Sequence, residues 1–192
     1  MNIVLVHGFL SSGKIFHLMK KRFERKGFNC FAPTLKPIDG KYGLDDLANK
    51  LKDEIENYFG NESNLSLVGF SMGGIICRYY LQELNGFQRV NKFITISTPH
   101  HGSYLAYLYP NKGIKQLRPN SDFLKNLKSK ESYLQEISLY SFRTPFDLMI
   151  LPNTSSTWDI AINKKYYSFI HSFMLFNQRV IKDSINILLN CS

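Results

Sequence analysis

The residues best placed to do chemistry are Gly69-Phe70-Ser71-Met72-Gly73. A serine hydroxyl is a weak nucleophile until a base takes its proton as it attacks. A Gly-x-Ser-x-Gly turn between a strand and a helix lifts the serine out of a sheet, on a bend too tight for side chains at its flanks. Leu65 to Val68 reads as the strand before it and Ile75 to Tyr79 as the helix after it, with Gly74 permitting close contact between the two. The pentapeptide alone also fits a plain glycine-rich turn. At the helix N-terminus the Met72 amide is suited to an oxygen gaining negative charge. A second amide donor is expected from the loop after the first strand, where His7-Gly8-Phe9-Leu10 stands, and the Phe9 NH is the natural one.

The base must be a histidine, and the chain has five: His7, His17, His100, His101 and His171. His7 belongs to the oxyanion loop, and His17 lies one step off the apolar stripe of the first helix. His100 and His101 follow a strand end and either could line the site. For a serine turn of this kind the chain order is Ser, acid, His, and only His171 leaves room for it. The preferred acid is Asp147, because the preceding strand delivers it to the same sheet edge as Ser71. Asp159 is the rival and lies nearer His171 in sequence. The acid would fix the imidazole tautomer and stabilise the imidazolium.

These groups need a frame. Ile3 to Val6 reads as a buried strand, followed by a helix over Ile15 to Phe23, a strand over Phe28 to Ala32 and a helix from Leu44 to Phe59. Further strands are expected at Leu65 to Phe70, Phe93 to Ile96, Ile137 to Phe142 and Lys165 to Ile170. Helices are expected at Ile75 to Leu84, Asp122 to Leu127 and Gln178 to Leu189. Alternating strands and helices with near-continuous apolar strands predict a mostly parallel, doubly wound α/β sheet with helices on both faces. Tyr104 to Tyr109 is an aromatic loop or short helix; it could face an apolar substrate or pack on the core.

The bulk numbers narrow the field. With 192 residues, 44% hydrophobic and 20% charged, the chain fits one domain, residues 1–192. Net charge is +9, yet the basic run Lys20-Lys21-Arg22 sits in an amphipathic helix without a nucleic-acid motif, so nucleic acid is not an expected partner. Charge and aromatics together raise peripheral contact with an anionic membrane. Cys30, Cys77 and Cys191 are an odd count with no close pairing and no metal spacing, and Cys30 and Cys77 read as small core residues. No metal or organic cofactor is expected. No signal peptide or bilayer-length apolar run is visible, which points to the cytoplasm while leaving a secreted mature form open. The sequence does not specify an oligomeric state.

The motifs together resemble small α/β-hydrolase esterases and lipases related to bacterial triacylglycerol lipases. The likeness rests on Val6-His7-Gly8-Phe9, on Gly69 to Gly74, on Ile96-Ser97-Thr98-Pro99-His100-His101-Gly102-Ser103, on Phe146 to Met149 and on Ile170-His171-Ser172. The resemblance implies a minimal α/β-hydrolase fold, a Ser71, Asp147, His171 triad and an oxyanion hole of the Phe9 and Met72 amides. Leu10, His100 and Tyr104 are then expected at the substrate, and 103–130 is a candidate small lid or cap. The implied activity is hydrolysis of apolar acyl esters, of small-molecule or lipid type, through an acyl-enzyme. A thioesterase or acyltransferase would use the same residues, and an inactive binding module would keep only the fold.

Overall fold

The computed structural model describes residues 1–61 and 63–190; Cys191 lies outside them. Strands β1 (Asn2–Val6), β2 (Asn29–Phe31), β3 (Leu65–Phe70), β4 (Val90–Ile96), β5 (Ser138–Arg143) and β6 (Ile162–Lys165) form one 6-stranded sheet, ordered β2-β1-β3-β4-β5-β6. Every neighbouring pair is parallel, so the expected doubly wound sheet is parallel throughout.

The inner strands are apolar on both faces because helices cover both. Val4, Val6, Leu67 and Phe93 face α2 (Leu44–Phe59), α3 (Met72–Glu83) and α5 (Asp122–Ser129). Their neighbours Ile3, Leu5, Val68 and Ile94 point the other way, onto α1 (His17–Glu24) and α6 (Gln178–Leu189). This odd-even division follows from the period-2 geometry of a strand. Cys30 and Cys77 are buried free thiols within these two cores. Burial pushes Cys30 up to about 12 and Cys77 up as well, so both are packing residues.

The winding direction reverses between β1 and β3. From β1 the chain crosses to β2 on one side, and then returns past β1 to place β3 on the other. In open α/β sheets the crevice beyond the carboxyl ends of the strands at such a reversal is where ligands bind. The loops holding Phe9 and Ser71 leave β1 and β3 at that reversal.

Two elements differ from expectation. The last strand is Ile162–Lys165 rather than 165–170. After Lys165 the Tyr166 amide still bonds Arg143 O, but the Ser168 backbone meets the Thr144 hydroxyl instead of a strand backbone, because Pro145 ends β5. A five-residue helix, α4 (Lys112–Gln116), was not anticipated. Tyr104–Tyr107, expected as a loop or short helix, forms a single 3-10 turn. Among the described residues no helix is long and apolar enough to cross a membrane.

Phe93 is fully buried in β4, with its ring edge-on to Trp158 at 5.9 Å. Phe93→Ala should destabilise the fold by about 3–5 kcal/mol, read as a lowered urea midpoint.

Candidate active site

Ser71 sits between β3 and α3 at φ 53°, ψ −125°. A residue other than glycine in this region costs on the order of 1–3 kcal/mol and persists only where its surroundings hold it. Two backbone bonds do so: the Ser71 amide donates to Ile96 O at 2.9 Å, and Ser71 O accepts from the Gly74 amide at 3.0 Å. The glycines are required by contact. A Cβ on Gly69 would lie 2.5 Å from the Gly74 Cα, and one on Gly73 would collide with Val6 O. Both obstacles are backbone and cannot rotate away.

The loop after β1 is fixed by His7. The Leu35 amide donates to His7 Nε2 at 2.9 Å, so Nε2 is the unprotonated nitrogen. Nδ1 therefore carries the proton and donates to Gly8 O at 2.9 Å. Burial lowers the His7 pKa, the Gly8 carbonyl opposing more weakly. A Cβ on Gly8 would lie 2.9 Å from the Ser71 Cβ, so glycine lets the two loops meet. Among the described residues neither the Phe9 nor the Met72 amide is paired with an acceptor.

Asp147 follows β5 and is buried, and His171 opens a 3-10 turn before α6. His171 Nδ1 donates to Asp147 Oδ1 at 2.9 Å and to Oδ2 at 2.7 Å. Oδ1 also accepts from the Met149 and Ile150 amides at 2.9 and 3.1 Å. With the proton on Nδ1, Nε2 keeps its lone pair for a base's work. The Phe70 ring lies 4.8 Å from the imidazole and limits its tilt. Asp159, the rival acid, is exposed in the turn after Trp158.

Ser71, His171, Phe9 and Met72 all line one cavity of about 160 Å³. Its other walls include Leu105, Ala106, Ile114, Leu117 and Ile150, so it is mostly apolar. The residues expected to bind substrate sit elsewhere. Leu10 and Tyr104 point largely to solvent, whereas Phe9, Leu105 and Tyr109 border the cavity.

His100 is buried away from the cavity, against Arg78. Its ring stacks on Trp158 at 4.4 Å and bonds the Thr95 hydroxyl at 3.1 Å. Arg78 pairs with Glu131 at 3.0 Å and lies over the Trp158 ring. Desolvation pushes Arg78 down to about 10, against the attraction of Glu131. Burial first, and then the positive charge of Arg78, hold His100 well below its ordinary value. A guanidinium facing it leaves no room for a second cation.

Sequence reading missed Ser103. Its hydroxyl donates to Met149 O at 3.3 Å and accepts from the Leu151 amide at 3.0 Å. It thus braces the segment whose amides hold Asp147. The only signal was its place at the end of the Thr-Pro-His-His-Gly-Ser stretch.

A family model described as alpha/beta hydrolase fold matches residues 2–121. Among solved structures, Bacillus licheniformis lipase BlEst2 in mature form is similar over 99% of this chain and 92% of its own, at 21% identity and a TM-score of 0.75. Aspergillus fumigatus lipase B aligns with 98% of this chain at 16% identity and a TM-score of 0.80, over 52% of its own length. A pyrethroid hydrolase from Sphingobium faniae JZ-2 aligns over 97% of this chain and 96% of its own, at 14% identity and a TM-score of 0.67. These identities establish likeness of fold. No curated protein sequence matches the chain.

His7 and His100 are both neutral when folded, with pKa values below the ordinary 6.5. Below that pH the unfolded chain takes up protons that the folded chain refuses. Stability should therefore fall as the pH drops through 6.5, by up to about 1.4 kcal/mol per pH unit for each histidine. Urea midpoints measured at neutral pH and at about pH 5.5 check this; His100→Gln should flatten the dependence.

Proposed function

The chain belongs to the α/β-hydrolase fold family, and we propose that it is a serine carboxylic ester hydrolase acting on apolar acyl esters. One observation carries the reading. The Asp147-bonded imidazole of His171 and the strained Ser71 turn open into the same apolar cavity, beside two amides without an acceptor among the described residues.

In this mechanism His171 Nε2 takes the proton of Ser71 as its oxygen attacks the ester carbonyl. The Phe9 and Met72 amides receive the charge that develops on the carbonyl oxygen. His171 then hands its proton to the departing alcohol, leaving an acyl-serine. Water, deprotonated by the same nitrogen, releases the acid. Asp147 orients the ring and stabilises the imidazolium throughout. The low polarity of the cavity walls favours an acyl chain over a polar group, and the solved structures of similar fold named as lipases are in keeping with that.

Residues 103–130 serve in this reading as a small cap. Leu105, Ala106, Ile114 and Leu117 roof the cavity. The cap is fastened to the body by the Gly113 amide on Gly40 O at 3.0 Å and by the Leu44 amide on Gln116 Oε1 at 2.6 Å.

A fluorophosphonate probe should label the native protein at Ser71 and fail to label Ser71→Ala. That variant should lose at least about 10⁴-fold in kcat on p-nitrophenyl esters. Asp147→Asn should cost about 10⁴-fold by offering the ring the wrong partner. Unlabelled native protein would leave only a binding module. Turnover of acyl-CoA and of no oxygen ester would move the assignment to a thioesterase.

A further inference from the structure

The most exposed large apolar side chains among the described residues are Leu108 (79%), Phe169 (78%), Leu148 (74%) and Tyr167 (70%). Three of the four stand within two residues of side chains that line the cavity. Leu108 precedes Tyr109, Leu148 follows Asp147, and Phe169 lies two residues before His171. Leaving such side chains in water is unfavourable, and Tyr167 and Phe169, which meet through the Phe146 ring, make a patch of the sort that marks an interaction surface.

The patch runs into a basic groove. Tyr167 lies 6.0 Å from the Phe146 ring, and Phe146 stacks on Phe169 at 5.2 Å. Tyr167 also lines a groove formed with Lys165, Arg179 and Lys182. The three cations are exposed, and among the described residues none stands in an ion pair. The acid in the groove, Asp183, is engaged by the Tyr166 hydroxyl at 2.6 Å and by Lys164 at 3.4 Å. Residues 160–182 hold four Lys and Arg and no acid.

We infer that this face docks on a bilayer rich in anionic phospholipid. Leu108, Leu148 and Phe169 enter the acyl region, and Lys165, Arg179 and Lys182 meet the phosphates. The two chemistries lie side by side, as head group and chain do in a phospholipid, and the cations sit where a charged interface would meet them. A protein partner would need a complementary apolar surface of its own, whereas a fluid bilayer moulds to scattered loop tips. Docking in this way would turn the cavity mouth toward the lipid. The inference deepens the proposed lipid-like substrate, but binding itself does not require Ser71 to be the nucleophile.

The test is co-sedimentation with vesicles of phosphatidylcholine alone and of equal parts phosphatidylcholine and phosphatidylglycerol. The native protein and Ser71→Ala should both bind the mixed vesicles, and less so as salt rises. Neutralising two cations in Arg179→Gln/Lys182→Gln should weaken partitioning roughly 30-fold. Phe169→Asp should weaken it too, while leaving turnover of soluble p-nitrophenyl acetate unchanged. Equal binding to both vesicle types, or variants that bind like the native protein, would overturn the inference. So would a concentration-dependent dimer broken by Phe169→Asp, which would assign the patch to a second copy. Vesicle binding without probe labelling would sink the esterase reading and leave the docking face standing.

Discussion

Backbone meets backbone beneath Ser71, and the rest of the site depends on that contact. Gly69 touches Gly74 and Gly73 touches Val6, so α3 starts closer to the sheet than any side chain would allow. The strained serine is tolerable because strand, helix and the neighbouring β4 leave it no other place. Gly8 extends the same closeness to the loop after β1. Hydroxyl and amide donors therefore share one small volume without any of them being held by a flexible side chain.

On the acid's side of the site, polar side chains brace the loops from behind. Ser103 holds the two peptide units flanking Ile150, whose own amide helps hold Asp147. Upstream of Ser103, the chain is pinned by the His100, Arg78, Glu131 and Trp158 cluster, all buried or nearly so. A charged cluster of this kind tolerates few alternative arrangements, because each member left unpaired would be costly. It behaves as a rigid footing for the loops above it. This gives the Thr-Pro-His-His-Gly-Ser stretch a structural purpose: it links the footing to the acid's loop.

What could be read from the residues alone was local or set by chain order. Glycines at a strand-to-helix junction announce a tight turn wherever they occur, and most of the sheet's strands announced themselves by apolar runs. Asp147 and His171, which the structure brings into contact, were paired by their order after Ser71. The features that escaped notice depend on distant partners. Helix α4 is too short to show a period, and its seat is set by a backbone bond to Gly40, far away in the chain. β6 is polar, and the apolar run beside it binds through a threonine hydroxyl. His100 sat in a suggestive place, but the arginine facing it came from a helix that sequence reading had no means to align with it.

The two margins of the sheet carry a consequence of their own. β2 spans three residues, Asn29–Phe31, and β6 spans four, Ile-Asn-Lys-Lys. A parallel sheet exposes unpaired NH and CO groups along both outer strands, an invitation to another chain in search of a partner. Short borders offer few such groups, and adjacent lysines on β6 repel a second copy that would align there. The feature that hid β6 from a hydrophobic reading is thus a safeguard against edge-to-edge aggregation, and its removal, as in Lys164→Val with Lys165→Val, would be felt first as insolubility rather than as unfolding.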